Sequence, residues 1–132
     1  SRSIRYYAQP PPVGHRQNRE HEMFDPSKIK IRNSLDANGK PAGGRATVDL
    51  YDRCVSVDFQ DGPIIEAKGR NGAFVEDLLY IAKARIEFYN RAGFACDENH
   101  MAINAIDAAM AALQSRTQRR IAAGTEGTHE GK

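Results

Sequence analysis

The spacing of apolar residues changes once along this chain, and that change limits the fold more than any other feature. Before Gly69 the apolar positions recur at every second residue: Ile29 and Ile31, Val48 and Leu50, then Val55, Val57 and Phe59, with charged or polar residues between. A period of two sends alternate side chains to opposite faces of an extended strand. Beyond the turn-forming run Gly69, Arg70, Asn71, Gly72 the interval becomes three or four, through Phe74, Val75, Leu78, Ala82, Ile86 and Tyr89, which is the period of an amphipathic helix. The chain thus divides into a strand half and a helix half, with glycines at the joint.

Turn chemistry supplies the boundaries. Asp36, Ala37, Asn38, Gly39, Lys40 and Pro41, followed by Gly43 and Gly44, join the first two strands. Tyr51, Asp52 and Arg53 make the next turn, and Asp61, Gly62 and Pro63 another before a short fourth strand, Ile64 to Ala67. The first helix runs for about five turns and stops at Ala92 and Gly93, where glycine provides a left-handed cap. A second helix starts near Asp97 or Glu98, whose carboxylates suit a helix N-terminus, and runs through Ile103, Ile106, Met110 and Leu113 to about Ala123, with Gly124 ending it. A connection of about five residues obliges the two helices to lie antiparallel. The expected fold class is α+β, a small antiparallel β-sheet followed by a long antiparallel helical hairpin. Residues 1–26 form an extended N-terminal arm stiffened by Pro10, Pro11 and Pro12, 27–68 a small β-sheet region, and 69–132 the helical hairpin with a C-terminal tail.

A chain of 132 residues leaves room for one small core. Self-association is therefore expected, through the wall formed by Ala102, Ala105, Ala108, Ala109, Ala111 and Ala112 on the second helix, with a simple monomeric core as the alternative. No apolar run approaches the roughly 18 residues that cross a bilayer, and Ser1 to Tyr7 lacks the build of a secretion signal, so a cytosolic setting is expected. Cys54 and Cys96 have neither CxxC spacing nor neighbouring histidines, and are read as two small buried apolar residues rather than a metal site or redox pair. His15, His21, His100 and His129 have no partner at ligand spacing, so no metal and no cofactor is expected. Hydrolase signatures, GxxxxGK[ST] and HExxH are missing from the sequence, and Glu76 with Asp77 is explained by the dipole of the helix they begin. The chain is not expected to be an enzyme.

Charge points to an anionic ligand. The net charge is only +2, yet residues 1–32 carry seven basic and three acidic groups, 33–113 eight and twelve, and 114–132 four and two. Thirteen of the nineteen basic residues are arginine, whose planar fork suits phosphate. Arg116 and Arg120 share a helix face with Arg119 beside them, either complementing the helix C-terminus or, with Thr125, Gly127 and Thr128 following, gripping a phosphate. Phe88, Tyr89 and Phe94 lie at the other end of the hairpin, as core residues or as rings on which a base can stack. The two sets stand some 25 Å apart at 1.5 Å per residue, so one small ligand reaches both only if two chains lie antiparallel.

The stretches FQDGPIIEAKGRNG, FACDENHMAI and RTQRRIAAGTEGTH resemble the phage anti-Thoeris signal sponges and the related helical-hairpin sponges that counter CBASS immunity, over about residues 55 to 130. The resemblance implies a non-enzymatic protein of the host cytoplasm. Such a protein sequesters glycocyclic ADP-ribose at a dimer interface and, in hexameric members built as trimers of dimers, cyclic di- or trinucleotides in separate sites. Carried over by position, Tyr89 stacks the base, Asn99 bonds a ribose or base edge, and Arg116 and Arg120 hold the phosphates; Arg119, Thr125, Gly127 and Thr128 fall in the second site. Asn99 has a purely structural alternative, as a helix N-terminal residue bonding backbone. Where the family reads Cys-Arg-Glu-Asn, this chain has Cys96, Asp97, Glu98, Asn99, an acid in place of a base. The rival reading is a phage nucleic-acid-binding or structural protein using the basic arm, against which the near-neutral charge counts.

Overall fold

A computed structural model of the chain describes residues 23–62, 64 and 69–124. The N-terminal arm to residue 22, positions 65–67 of the expected fourth strand, and the tail carrying Thr125, Gly127 and Thr128 lie outside the described residues. Three strands, β1 (Ile29–Leu35), β2 (Pro41–Asp49) and β3 (Cys54–Phe59), form an antiparallel meander in the order β1-β2-β3. The β1–β2 turn is organised by Asp36: its carboxylate accepts the N–H groups of Asn38 at 2.8 Å and Lys40 at 2.9 Å, and Gly39 takes the left-handed conformation (φ 77°) that completes the reversal. Between β2 and β3, Leu50 N–H donates to the Arg53 carbonyl at 2.6 Å.

The register sorts the side chains into two unlike faces. Ile29 stands opposite Val48 and Val48 opposite Val55; Ile31 opposite Ala46 and Ala46 opposite Val57; Gly44 opposite Phe59. These residues make one apolar face. The other face carries Lys30 bonded to Asp49 at 2.7 Å, Arg45 to Asp58 at 2.6 and 3.3 Å, and Thr47 facing Ser56. The apolar face stays partly open to solvent: Ile31 is 63% exposed and Val55 42%, while Ile29, Val57 and Phe59 are half-buried.

Of the expected fourth strand only Ile64 is among the described residues, in a turn, and the described chain returns to the sheet at Ala73. Ala73 makes a single parallel bridge to Phe59, its N–H donating to Asp58 at 2.8 Å and its carbonyl accepting from Gln60 at 3.0 Å. Gln60 and Asn71 lock this return reciprocally. The Gln60 side-chain oxygen accepts from the N–H groups of Asn71 (2.8 Å) and Gly72 (3.2 Å), while the Asn71 side chain accepts from Asp61 N–H (2.8 Å) and donates to the Asp61 carbonyl (3.1 Å). Gly72 passes so close to β3 that a Cβ there would lie 2.5 Å from the Phe59 carbonyl carbon.

The helical hairpin springs directly from this joint. Helix α1 spans Val75–Tyr89, and the Asp77 carboxylate reaches back to Phe74 N–H at 2.7 Å while pairing with Arg70, whose guanidinium lies 4.3 Å above the Phe74 ring. After α1 a wider turn, Asn90–Phe94, ends at Gly93 with φ 95°. Helix α2 spans Asp97–Ala122, with Asp97 and Glu98 in its first turn and Gly124 (φ 75°) past its end. The Lys83–Asp107 pair at 2.7 Å sets the antiparallel register. With 26 residues against 15, α2 runs on past the start of α1.

No hydrophobic side chain among the described residues is buried. Two sequence expectations fail for this reason. Phe94, read as core, is 70% exposed, and both cysteines, read as buried, face solvent: Cys54 opens β3 in register with the polar face, and Cys96 stands at the N-terminal boundary of α2.

Two outcomes are expected. Gly72→Ala forces backbone against backbone at the joint and should cost about 1–3 kcal/mol, read as a lower urea midpoint. The Arg45 hydrogen bond holds the Asp58 carboxyl below its ordinary value of 3.8. The stabilisation from this group is complete above that ordinary value and is lost as pH falls through the lower, folded value. Urea midpoints measured from about pH 5 to about pH 2 should fall less steeply in Asp58→Asn than in the parent chain.

Candidate functional site

The hairpin tip brings Tyr89 and Asn99 to one end of the molecule. Asn99 lies in the first turn of α2, and its side-chain amide donates to the Asn90 side-chain oxygen at 3.0 Å and the Phe94 carbonyl at 3.1 Å. Asn99 therefore performs the structural task foreseen for it, tying the turn to the helix it precedes, while its own side-chain oxygen has no partner among the described residues. Tyr89 closes α1 beside Asn90 and stays 41% exposed. Its hydroxyl accepts from Arg85 Nε at 3.3 Å, and its ring centroid lies 6.0 Å from that of Phe88.

The arginines occupy the opposite end. The register that pairs Lys83 with Asp107 and Asn90 with Asn99 brings the start of α1 level with the α2 turn containing Arg116. Arg116 and Arg119 are exposed, whereas Arg120 is buried, with 9% of its surface accessible. Arg119 and Arg120 both engage neighbours within the chain. Two of the three arginines at this end are thus presented to solvent, and the third is not. Asn99 and Arg116 are seventeen residues apart on one continuous helix, or about 25 Å along its axis. One chain does not bring the ring-lined end and the arginine-lined end together. Of the second set, Arg119 is described, and Thr125, Gly127 and Thr128 lie outside the described residues.

Sequence reasoning missed three participants. Arg85 stands four residues before Tyr89, a spacing that signals contact on a helix, yet it drew no notice among thirteen arginines. Asn90 meets Asn99 only through the hairpin register, which no local pattern reveals. The Gln60–Asn71 lock couples residues eleven apart across an irregular connection. Among the described residues no group of histidine, cysteine and carboxylate side chains is placed to hold a metal ion, and no helix is long and apolar enough to cross a membrane.

Residues 55–118 match the family described as Acb2/Tad1, hairpin domain. That span contains the Gln60–Asn71 joint, all of α1, Tyr89, Asn99 and Arg116, and stops just short of Arg119 and Arg120. Among curated proteins, Thoeris anti-defense 1 of Bacillus phage SBSphiJ7 is 39% identical over 82 residues, covering 62% of this chain. The matched stretch amounts to 57% of that relative, so the likeness spans little more than half its length. With the β-sheet feeding a long antiparallel hairpin and the match lying across that hairpin, residues 55–118 carry the likeness to the Acb2/Tad1 hairpin domain.

Proposed function

We propose that this protein is an anti-defence sponge of the host cytoplasm, which captures a cyclic nucleotide immune signal, glycocyclic ADP-ribose first of all, and holds it without breaking it down. The observation that carries this reading is that the matched hairpin domain contains an exposed ring with an adjacent amide at one end and exposed Arg116 at the other. A cyclic ADP-ribose offers complementary chemistry: an adenine for the Tyr89 ring, ribose hydroxyls for the Asn99 carbonyl, and a pyrophosphate for guanidinium groups. The likeness to a phage protein named Thoeris anti-defense 1 supports Thoeris signalling as the target.

The 25 Å between the two sets makes the site a joint product of two chains. Two hairpins laid head to tail bring Tyr89 and Asn99 of one copy to the exposed Arg116 of the other, with Arg120, buried in the single chain, one turn further along α2. The partly open apolar face of the sheet, with Ile31 and Val55 exposed, favours such association because burying each side chain of this size contributes about 1.5–3 kcal/mol. Assembly of dimers into a hexamer, with Arg119, Thr125, Gly127 and Thr128 receiving cyclic di- or trinucleotides that serve CBASS, extends the same proposal.

Three measurements test it. Heating the loaded protein should return intact signal by mass spectrometry; recovery of cleaved nucleotide alone would mark an enzyme instead. Tyr89→Ala should weaken binding about 5- to 150-fold, the range of one lost base stack, and Arg116→Ala should weaken it while lowering its salt dependence. Undiminished binding by both variants would move the site elsewhere, and a preference for polymeric nucleic acid with steep salt dependence would favour the structural or nucleic-acid-binding alternative. In sedimentation, Ile31→Lys should shift the protein toward monomer.

A further inference from the structure

Arg85, Phe88 and Tyr89 stand at i, i+3 and i+4 on α1 and so share one strip of its surface. The Arg85 guanidinium carbon lies 5.1 Å from the Phe88 ring centroid and 5.0 Å from that of Tyr89, and the Nε–H donates to the Tyr89 hydroxyl at 3.3 Å. The two rings are tilted by 54° to each other, which leaves the cation between them. Four other cations in the fold pair with carboxylates: Lys30 with Asp49, Arg45 with Asp58, Arg70 with Asp77 and Lys83 with Asp107. Arg85 has no carboxylate partner among the described residues, and its terminal nitrogens make no hydrogen bond with them. Its contacts are the two rings, and both remain more than two-fifths exposed. A cation placed on solvent-facing rings does little for the stability of the chain, so its effect falls on the rings themselves.

We propose that Arg85 is the positioning residue of the base-stacking platform. It covers one face of the Tyr89 ring and restrains its rotation through the hydroxyl, so that a purine stacks on the opposite face only, on a ring already oriented. This rests on Tyr89 being the stacking residue. Restraint before binding removes an ordering cost that an unrestrained ring would meet on capture. The cation against one face also draws electron density from the phenol, which favours an electron-rich base on the other.

Calorimetric titration of the full chain with glycocyclic ADP-ribose, and with inorganic pyrophosphate as a probe lacking a base, tests the assignment in Arg85→Met, Tyr89→Phe, Tyr89→Ala and the Arg85→Met/Tyr89→Ala pair. Arg85→Met is expected to weaken glycocyclic ADP-ribose binding about fivefold, with pyrophosphate binding, salt dependence and urea midpoint unchanged. Tyr89→Phe, which keeps the ring and loses only the hydroxyl bond, should weaken binding by less. On the Tyr89→Ala background the Arg85 substitution should have no further effect, because no ring is left to position. Arg85→Lys should recover part of the loss. Parent affinity in Arg85→Met, an undiminished effect without the Tyr89 ring, or a reduced salt dependence marking a direct phosphate contact would each overturn the assignment. Parent affinity in Tyr89→Ala would instead remove the stacking reading itself, so the two failures are distinguishable.

Discussion

Everything in this fold is conditioned by apolar surface that one chain leaves in contact with water. Removal of such surface from solvent is the main favourable term in folding, and native stability is the small remainder after chain entropy is met. Here the described strands align Ile29, Ile31, Val48, Val55 and Val57 on one face, of which Ile31, Val48 and Val55 stay exposed, and the hairpin leaves Tyr80, Ile81, Phe94 and Met101 exposed. Helices and strands form because their local patterns are sound, but no hydrophobic side chain among the described residues is fully buried. The proposed binding site is divided in the same way, since its two halves lie at opposite ends of α2.

Within the chain, order is carried by polar devices at a few joints rather than by a packed interior. The Asp36 turn sets the β1–β2 hairpin, the Gln60–Asn71 exchange and the tight passage of Gly72 attach the helices to β3, Asp77 holds the first turn of α1, and Asn99 secures the tip. Each satisfies backbone groups that an irregular segment would otherwise leave unpaired. Ion pairs at the surface add little to stability individually but specify register, as Lys83 with Asp107 does for the hairpin.

Much of this architecture was legible in the sequence because it follows from local periodicity. The switch of spacing at Gly69–Gly72 separated sheet from hairpin, Gly93 and Gly124 marked helix ends by their need for positive φ, and the short connection required antiparallel helices. The expected fourth strand lies mostly outside the described residues; Ile64 itself sits in a turn, and the chain meets β3 again at Ala73, a long-range bridge that local alternation does not reveal. Burial failed at Phe94, Cys54 and Cys96 because composition assigns apolar residues to a core without asking whether a single chain builds one. Of the candidate site, the separation of Tyr89 from Arg116 followed from helix rise alone. The Asn90–Asn99 bond depends on the hairpin register, which the sequence does not display, whereas the guanidinium over Tyr89 follows from i, i+4 spacing within α1.

The continuity of α2 has a consequence for how such a protein can vary. Asn99 and Arg116 belong to one uninterrupted helix, so angle and distance between them are tied together. A single inserted residue would advance the guanidinium by 1.5 Å and also swing it by about 100° around the axis, turning it away from whatever it had faced. Substitutions at either end retune chemistry in small steps, whereas a change of length breaks the phase at once. Such a rod tolerates new letters far more readily than new spacing, and the proposed site is free to drift in its chemistry only while the count of residues stays the same.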